Sequence, residues 1–215
     1  MKTCTTLLLI VSLSLAGTAQ TAKEILDKSI QYHDPNGEWR TLKATFYFTE
    51  TRPNGPDRKT VFTINNARNE HTLNRNDEEI YEVSGAQVKV VKGDKPAERG
   101  QTLRNYYLYL WGLPMKLLDA NTPLNNKVGK KSIDGNASYV LTVNYEKEDW
   151  TYYFDQKSFQ LIAYGFKKKD GSGQEEFVAL KDEIKVGNMR LPKARSWYES
   201  PANKFLGTDI LDEIR

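Results

Sequence analysis

Aromatic and aliphatic residues that recur at every second position, in short runs broken by tight turns, constrain this chain most. Phe46 and Phe48 alternate with Thr45, Tyr47 and Thr49, and Phe62 and Ile64 alternate with Val61 and Thr63. The second half repeats the pattern with Tyr139, Leu141, Val143 and Tyr145, then Trp150, Tyr152 and Phe154, then Ile162, Tyr164 and Phe166. A period of two places each set on one face of a strand. Further strands are expected over 71–75, 79–84, 87–92, 175–186 and 190–199, with 209–214 read either as a strand or as a frayed end. Turns such as Asn65-Asn66, Ser84-Gly85 and Gly187-Asn188 are too short for a crossover, so the strands they join must run antiparallel.

Two segments switch to a helical period. Thr21 and Glu24 have capping-box spacing, and Ala22, Ile25, Leu26, Ser29 and Ile30 then form one stripe that ends at Asp34-Pro35. Leu103, Tyr106, Tyr107, Leu110 and Trp111 make a second stripe. Gly112 suits the end of that helix, and Pro114 opens a short turn through Leu118. Leu108 and Tyr109 lie off the stripe, so this helix is apolar nearly all round and needs cover on two sides. One side is the sheet. The other is a neighbouring helix, a ligand or a partner. The class is therefore α+β. With no linker or low-complexity stretch, residues 20–215 read as one domain, expected as a monomer.

Residues 1–19 read as an export signal. Lys2 supplies the positive end, residues 7–16 are apolar, and small residues at Gly17 and Ala19 set cleavage after Ala19. The stretch is too short to span a bilayer, and no integral membrane segment is expected after cleavage. The mature protein is thus expected to be periplasmic or secreted. Cys4, the one cysteine, falls inside this signal, which leaves no disulfide and no thiolate metal site. The formal charge of +3 drops to near +2 without Lys2, too balanced to argue for nucleic acid.

Catalytic signatures are missing: there is no Gly-x-Ser-x-Gly elbow, phosphate loop or His-Glu-x-x-His pair. His33 sits near a helix end, where a charged imidazole would complement the dipole. His71 has no second ligand at metal spacing, and Asp77-Glu78-Glu79 lacks a calcium-loop pattern. Lys167-Lys168-Lys169 reads as a solvated hairpin. The expectation is no catalytic residue, no metal and no cofactor.

The order of elements resembles the LolA-like group of outer-membrane lipoprotein carriers. An export signal is followed by one capped helix, a meander, an aromatic helical insert over 106–118 and a second meander. Asp134-Gly135-Asn136 leading to Tyr139-Val140-Leu141, Asp155-Gln156-Lys157-Ser158, and Gly187-Asn188-Met189-Arg190-Leu191-Pro192 are similar to strand and hairpin motifs of that group. Trp111-Gly112-Leu113-Pro114-Met115-Lys116 looks like an exported DUF6503-type subgroup. The resemblance implies a curved antiparallel sheet, an incomplete barrel, with helices covering its concave face. It also implies an early-strand arginine that holds the helices. Arg40, Arg52 and Arg58 lie in that region, and no local motif selects among them.

On that frame Phe46, Phe48, Phe62, Ile64, Tyr139, Leu141, Val143, Tyr152 and Phe154 would line the concave face, and Tyr107, Leu110, Trp111, Leu113, Met115 and Leu117 would close it. The resemblance implies a lipid or lipoprotein acyl chain as the ligand. Burying a chain of roughly fourteen carbons would gain about 10 kcal/mol before ordering costs. The same residues equally suit a filled core, or an open groove for an envelope protein partner. All three readings stay open at this level.

Overall fold

The first described element is a helix, α1 (Ala22–His33). The computed structural model describes residues 20–215, so the expected export signal and Cys4 lie outside the described residues. The capping box forms as read. The Thr21 hydroxyl accepts from the Glu24 amide at 3.2 Å, and the Glu24 carboxylate accepts from the Thr21 amide at 2.9 Å. Ala22, Ile25, Leu26 and Ser29 form its buried face.

Five strands follow: β1 (Lys43–Thr51), β2 (Arg58–Asn65), β3 (Glu70–Arg75), β4 (Glu79–Ser84) and β5 (Gln87–Lys92). Helix α2 (Ala97–Trp111) and a 3₁₀ turn over Met115–Leu118 interrupt the strands. Seven more complete the chain: β6 (Gly129–Ile133), β7 (Asn136–Asn144), β8 (Glu148–Asp155), β9 (Leu161–Lys168), β10 (Glu175–Val186), β11 (Met189–Ser200) and β12 (Lys204–Ile214). All twelve join one antiparallel sheet in the order β5-β4-β3-β2-β1-β12-β11-β10-β9-β8-β7-β6. The two outermost strands do not pair with each other, so the sheet is a curved, incomplete barrel.

Three features differ from the sequence reading. The 209–214 segment is no frayed end: β12 lies in the middle of the sheet, paired with β1 on one side and β11 on the other. Strand β6 escaped notice because its residues are polar and exposed, with no apolar alternation to reveal it. Helix α2 begins well before Leu103, since its first turns are polar. Gly100 lies in those turns, and a side chain there would come within 2.6 Å of the Tyr81 ring. The glycine lets α2 settle closely onto β4.

The core follows from strand register. Phe46, Phe62, Leu73 and Tyr81 stand opposite one another across β1 to β4 and are all buried. Tyr152, Tyr164 and Val178 do the same across β8 to β10. Helix α2 covers β3, β4 and β5, while α1 lies against β11. Among the described residues, no helix is long and apolar enough to cross a membrane.

His33 closes α1 onto the sheet, and not as a dipole partner. Its ring is fully buried. Nε2 accepts from the Leu161 amide at 3.0 Å, so Nδ1 carries the proton and donates to the Arg190 carbonyl at 2.7 Å. A second proton would face an N–H donor. Burial pushes the imidazole down to about 4. The stability this neutral ring contributes is present above the unfolded value of 6.5 and is lost as pH falls toward 4. We expect urea midpoints of the wild type to fall between pH 7 and 4. In His33→Asn the part due to this ring, about 3 kcal/mol, should vanish from the pH dependence.

Candidate functional site

Two neighbouring tyrosines on α2 tie the helix to the sheet. The Tyr107 hydroxyl donates to the Glu50 carboxylate of β1, which is itself buried. Arg58 Nε also donates to Glu50, at 2.6 Å, and Arg75 Nη2 donates to the Tyr107 oxygen at 2.9 Å. The Tyr106 hydroxyl donates to Asp209 of β12 at 2.7 Å, and Trp197 Nε1 donates to the same oxygen at 2.8 Å. Burial raises both phenols, and the adjacent carboxylate adds to the shift in each case. Burial also raises the Asp209 carboxyl, with Glu50 contributing repulsion. The helix is therefore fixed to two adjacent central strands, β1 and β12.

A buried arginine completes the attachment. Arg195 on β11 is 0% exposed, and its Nη2 donates to the Leu110 carbonyl at 2.7 Å. The guanidinium also lies over the Trp111 ring, 3.4 Å from its centroid. Desolvation lowers its pKa. Of the arginines the resemblance left open, Arg58 and Arg52 act on α2 only through Glu50, and Arg40 is exposed. The direct hold comes from a late strand. Arg195 alternates with Met189, Leu191, Lys193 and Trp197 along β11, so a basic residue in a partly apolar series is the one signal the sequence offered.

Beside this attachment a groove of about 670 Å³ stays open between α2 and strands β8 to β11. Tyr106, Tyr109 and Leu110 form its helix side, and Trp150, Phe166 and Trp197 its sheet side. Tyr106 stacks on Trp197 at 5.9 Å, and Trp150 on Phe166 at 4.9 Å. The Tyr109 hydroxyl shares hydrogen bonds with Tyr145 at 2.9 Å and Tyr152 at 2.8 Å, which holds that wall upright. The rim is polar and includes Lys116, Asp119, Asn121, Lys147, Glu148 and Glu176. Hollows of 740 and 510 Å³ elsewhere are lined largely by charged and polar side chains. Among the described residues, no group of three or more His, Cys, Asp or Glu is placed to hold a metal ion.

The residues named from sequence lie mostly in two packed clusters and not in this groove. Phe46, Phe48, Phe62, Ile64, Tyr107, Trp111 and Met115 belong to one packed cluster. Leu110, Leu113, Leu117, Leu141, Val143, Tyr152 and Phe154 belong to a second, and half-buried Tyr139 packs against it while stacking on Phe159. Of these only Leu110 also faces the groove. Sequence reasoning passed over Tyr106, Tyr109, Trp150, Phe166 and Trp197. Trp150 and Phe166 belong to the same alternating runs as the chosen residues. Nothing in the period says where the covering helix stops.

Comparison with known proteins gives a family and a fold. The model of a family of unknown function, DUF6503, matches residues 2–101 and 94–213. Among curated proteins no sequence matches this chain. The structure is similar to a LolA superfamily protein from Nitrosomonas europaea at 10% identity, with a TM-score of 0.55 over 92% of this chain and 94% of that one. It is also similar to a domain from Vibrio parahaemolyticus described as an outer membrane lipoprotein-sorting protein, at 9% identity. There the TM-score is 0.56, over 89% of this chain and 90% of that one. The fold is LolA-like.

Removing Arg195 should loosen the helix that walls the groove. Arg195→Ala leaves the Leu110 carbonyl without its donor and opens a void beside Trp111. The expected loss is about 3 kcal/mol in urea denaturation. Arg195→Lys should recover little of it, because an ammonium cannot stack flat on the indole.

Proposed function

We propose that this chain, which belongs to the DUF6503 family, is an exported, non-catalytic protein that binds the acyl chain of a lipid or lipoprotein in the groove beside α2. The observation that carries this reading is the aromatic lining: six aromatic side chains, Tyr145 included, line one open groove of about 670 Å³ on a LolA-like frame. A methylene occupies nearly the space of a water molecule, roughly 30 Å³, so one sixteen-carbon chain would fill roughly 480 Å³. The groove takes one such chain and a small head group. Three chains would not fit without α2 moving away from Asp209 and Glu50.

The neighbouring protein described as lipoprotein-sorting supports an envelope role for this chain, in keeping with the export signal expected over residues 1–19. A second reading, docking of an envelope protein, draws support from the free edge strand β5. Val90 and Val91 are exposed there beside unpaired backbone groups.

Trp150 and Trp197 make the groove self-reporting. Titrating delipidated protein with dodecanoate should shift tryptophan emission and saturate at one equivalent. Trp197→Ala should weaken that binding at least tenfold, about 1.4 kcal/mol. Thr72→Ala, on the rim of the polar 740 Å³ hollow, should leave it unchanged. Emission that ignores the fatty acid, in a protein that also carries no lipid by native mass spectrometry, would refute the reading. A protein partner captured by β5 and lost on Val90→Lys would favour the second reading.

A further inference from the structure

The outer face of the sheet, opposite the groove, carries a band of aromatic side chains that the fold does not require. Strand register sets Tyr198 opposite Phe177, Phe177 opposite Gly165 and Gly165 opposite Thr151, one row out of step with the buried Tyr152, Tyr164 and Val178. Solvated positions on a half-covered antiparallel sheet are ordinarily polar. Here Tyr198 meets Phe205 of β12 with ring centroids 5.6 Å apart, and Phe177 meets Tyr153 of β8 edge-on at 6.0 Å. Phe177 and Tyr198 are half-buried. Phe205 is 42% exposed, and among the described residues it is the one exposed aromatic side chain. An aromatic band left open to water marks a surface that something covers.

Small residues on β9 shape the space beside the band. Strands β8 and β10 stand two spacings apart, about 9.5 Å. The Tyr153 and Phe177 rings still meet, because β9 offers only Ala163 and Gly165 between them. At Gly165 even a Cβ would come within 2.8 Å of the Glu176 carbonyl. A hollow of about 510 Å³ opens on this face. Its rim carries Lys131 and Lys167 as donors, Asp149 and Glu175 as acceptors, and Ser200 and Asn203, which can do both. Asp149 is held by Lys169 at 2.8 Å, and Glu175 accepts from Ser200 Oγ at 3.2 Å. The rim therefore mixes both signs of charge with neutral groups.

Rings beside mixed hydrogen-bonding groups match the chemistry of a sugar. A pyranose presents C–H bonds on its flat faces, which sit on an aromatic ring, and hydroxyl groups around its edge, which both donate and accept. An anionic membrane surface would call for cations alone at the rim, and the centre of a protein contact for few charges at all. We propose that this outer face is a saccharide site, in which linked sugar rings stack on Phe177, Tyr198 and Phe205 and bond through their hydroxyls to the rim at Lys167, Glu175 and Asn203. From β8 to β12 the face spans four strand spacings, about 19 Å, which gives room for several linked rings. Neither Tyr198 nor Phe205 lines the groove, so this site stands apart from the one beside α2.

The test titrates the purified protein with chitotetraose, cellotetraose and maltotetraose, by calorimetry and by saturation transfer from protein to sugar protons. At least one should bind saturably, and added salt should change its affinity by less than about twofold, because these sugars are uncharged. Tyr198→Ala and Phe205→Ala should each weaken binding by about fivefold or more. Phe205→Ala, at an exposed position, should keep the wild-type urea midpoint, so its loss of affinity is local. No binding of any of the three sugars at about 10 mM, or binding that both variants leave intact, overturns the proposal. Attachment to phosphatidylglycerol vesicles or to a protein, lost in Phe205→Ala and without sugar binding, overturns it too and assigns the band to that partner.

Discussion

Adjacent side chains on one helix are rarely both sequestered by one sheet, because successive residues on a helix point about 100° apart. Tyr106 and Tyr107 manage it because the sheet curves around α2, so that β12 and β1 meet the helix from different directions. Each hydroxyl ends on a buried carboxylate, Asp209 or Glu50. A buried carboxylate without donors is costly, so each acid holds its tyrosine as firmly as the tyrosine holds the helix. The rest of the concave face is arranged around that double attachment. With α2 seated there, Tyr107 closes the packed core and Tyr106 turns its ring outward to become a wall of the groove.

The attachment crosses the place where the two halves of the chain meet. The N-terminal strands, β1 to β5, and the C-terminal strands, β6 to β11, join only through β12. That strand carries Asp209, which stands opposite Arg195 on β11. Arg195 reaches the end of α2 at the Leu110 carbonyl. Helix α2 and the β11–β12 hairpin, far apart in sequence, therefore share one small set of buried charges. A disturbance at any member is felt by the helix, by the seam of the sheet and by the aromatic wall together. This is why the groove's shape depends on residues that do not line it.

Much of this frame could be read in advance. Alternation at Phe46, Phe62, Tyr152 and Tyr164 marked the inner face of the sheet, because a half-covered strand must separate its two faces by chemistry. Thr21 and Glu24 marked the start of α1 through hydrogen-bonding groups at fixed spacing. The places where reading failed share a physical reason. Strand β6 is held mainly by backbone pairing with β7, and backbone pairing leaves no trace in side-chain pattern. The central position of β12 comes from long-range pairing that no local window reports. His33 could be seen near a helix end, but its neutrality depends on Arg190 and Leu161, which are distant in sequence.

The groove itself shows most clearly what alternation leaves open. In the second half of the sheet two successive rows on the inner face both carry aromatic rings. The first is Tyr152, Tyr164, Val178 and Trp197, and the next is Trp150, Phe166, Glu176 and Glu199. In the first row Tyr152, Tyr164 and Val178 are fully buried. In the next, Phe166 and Glu176 are only partly covered and line the groove with Trp150. The difference lies in the cover as well as in the two glutamates of the second row. Helix α2 ends at Trp111, Gly112 lets the chain turn back close to Trp39, and the 3₁₀ turn packs Met115 and Leu117 into the core. The open row therefore reflects how far the helix and the turn after it reach across the sheet.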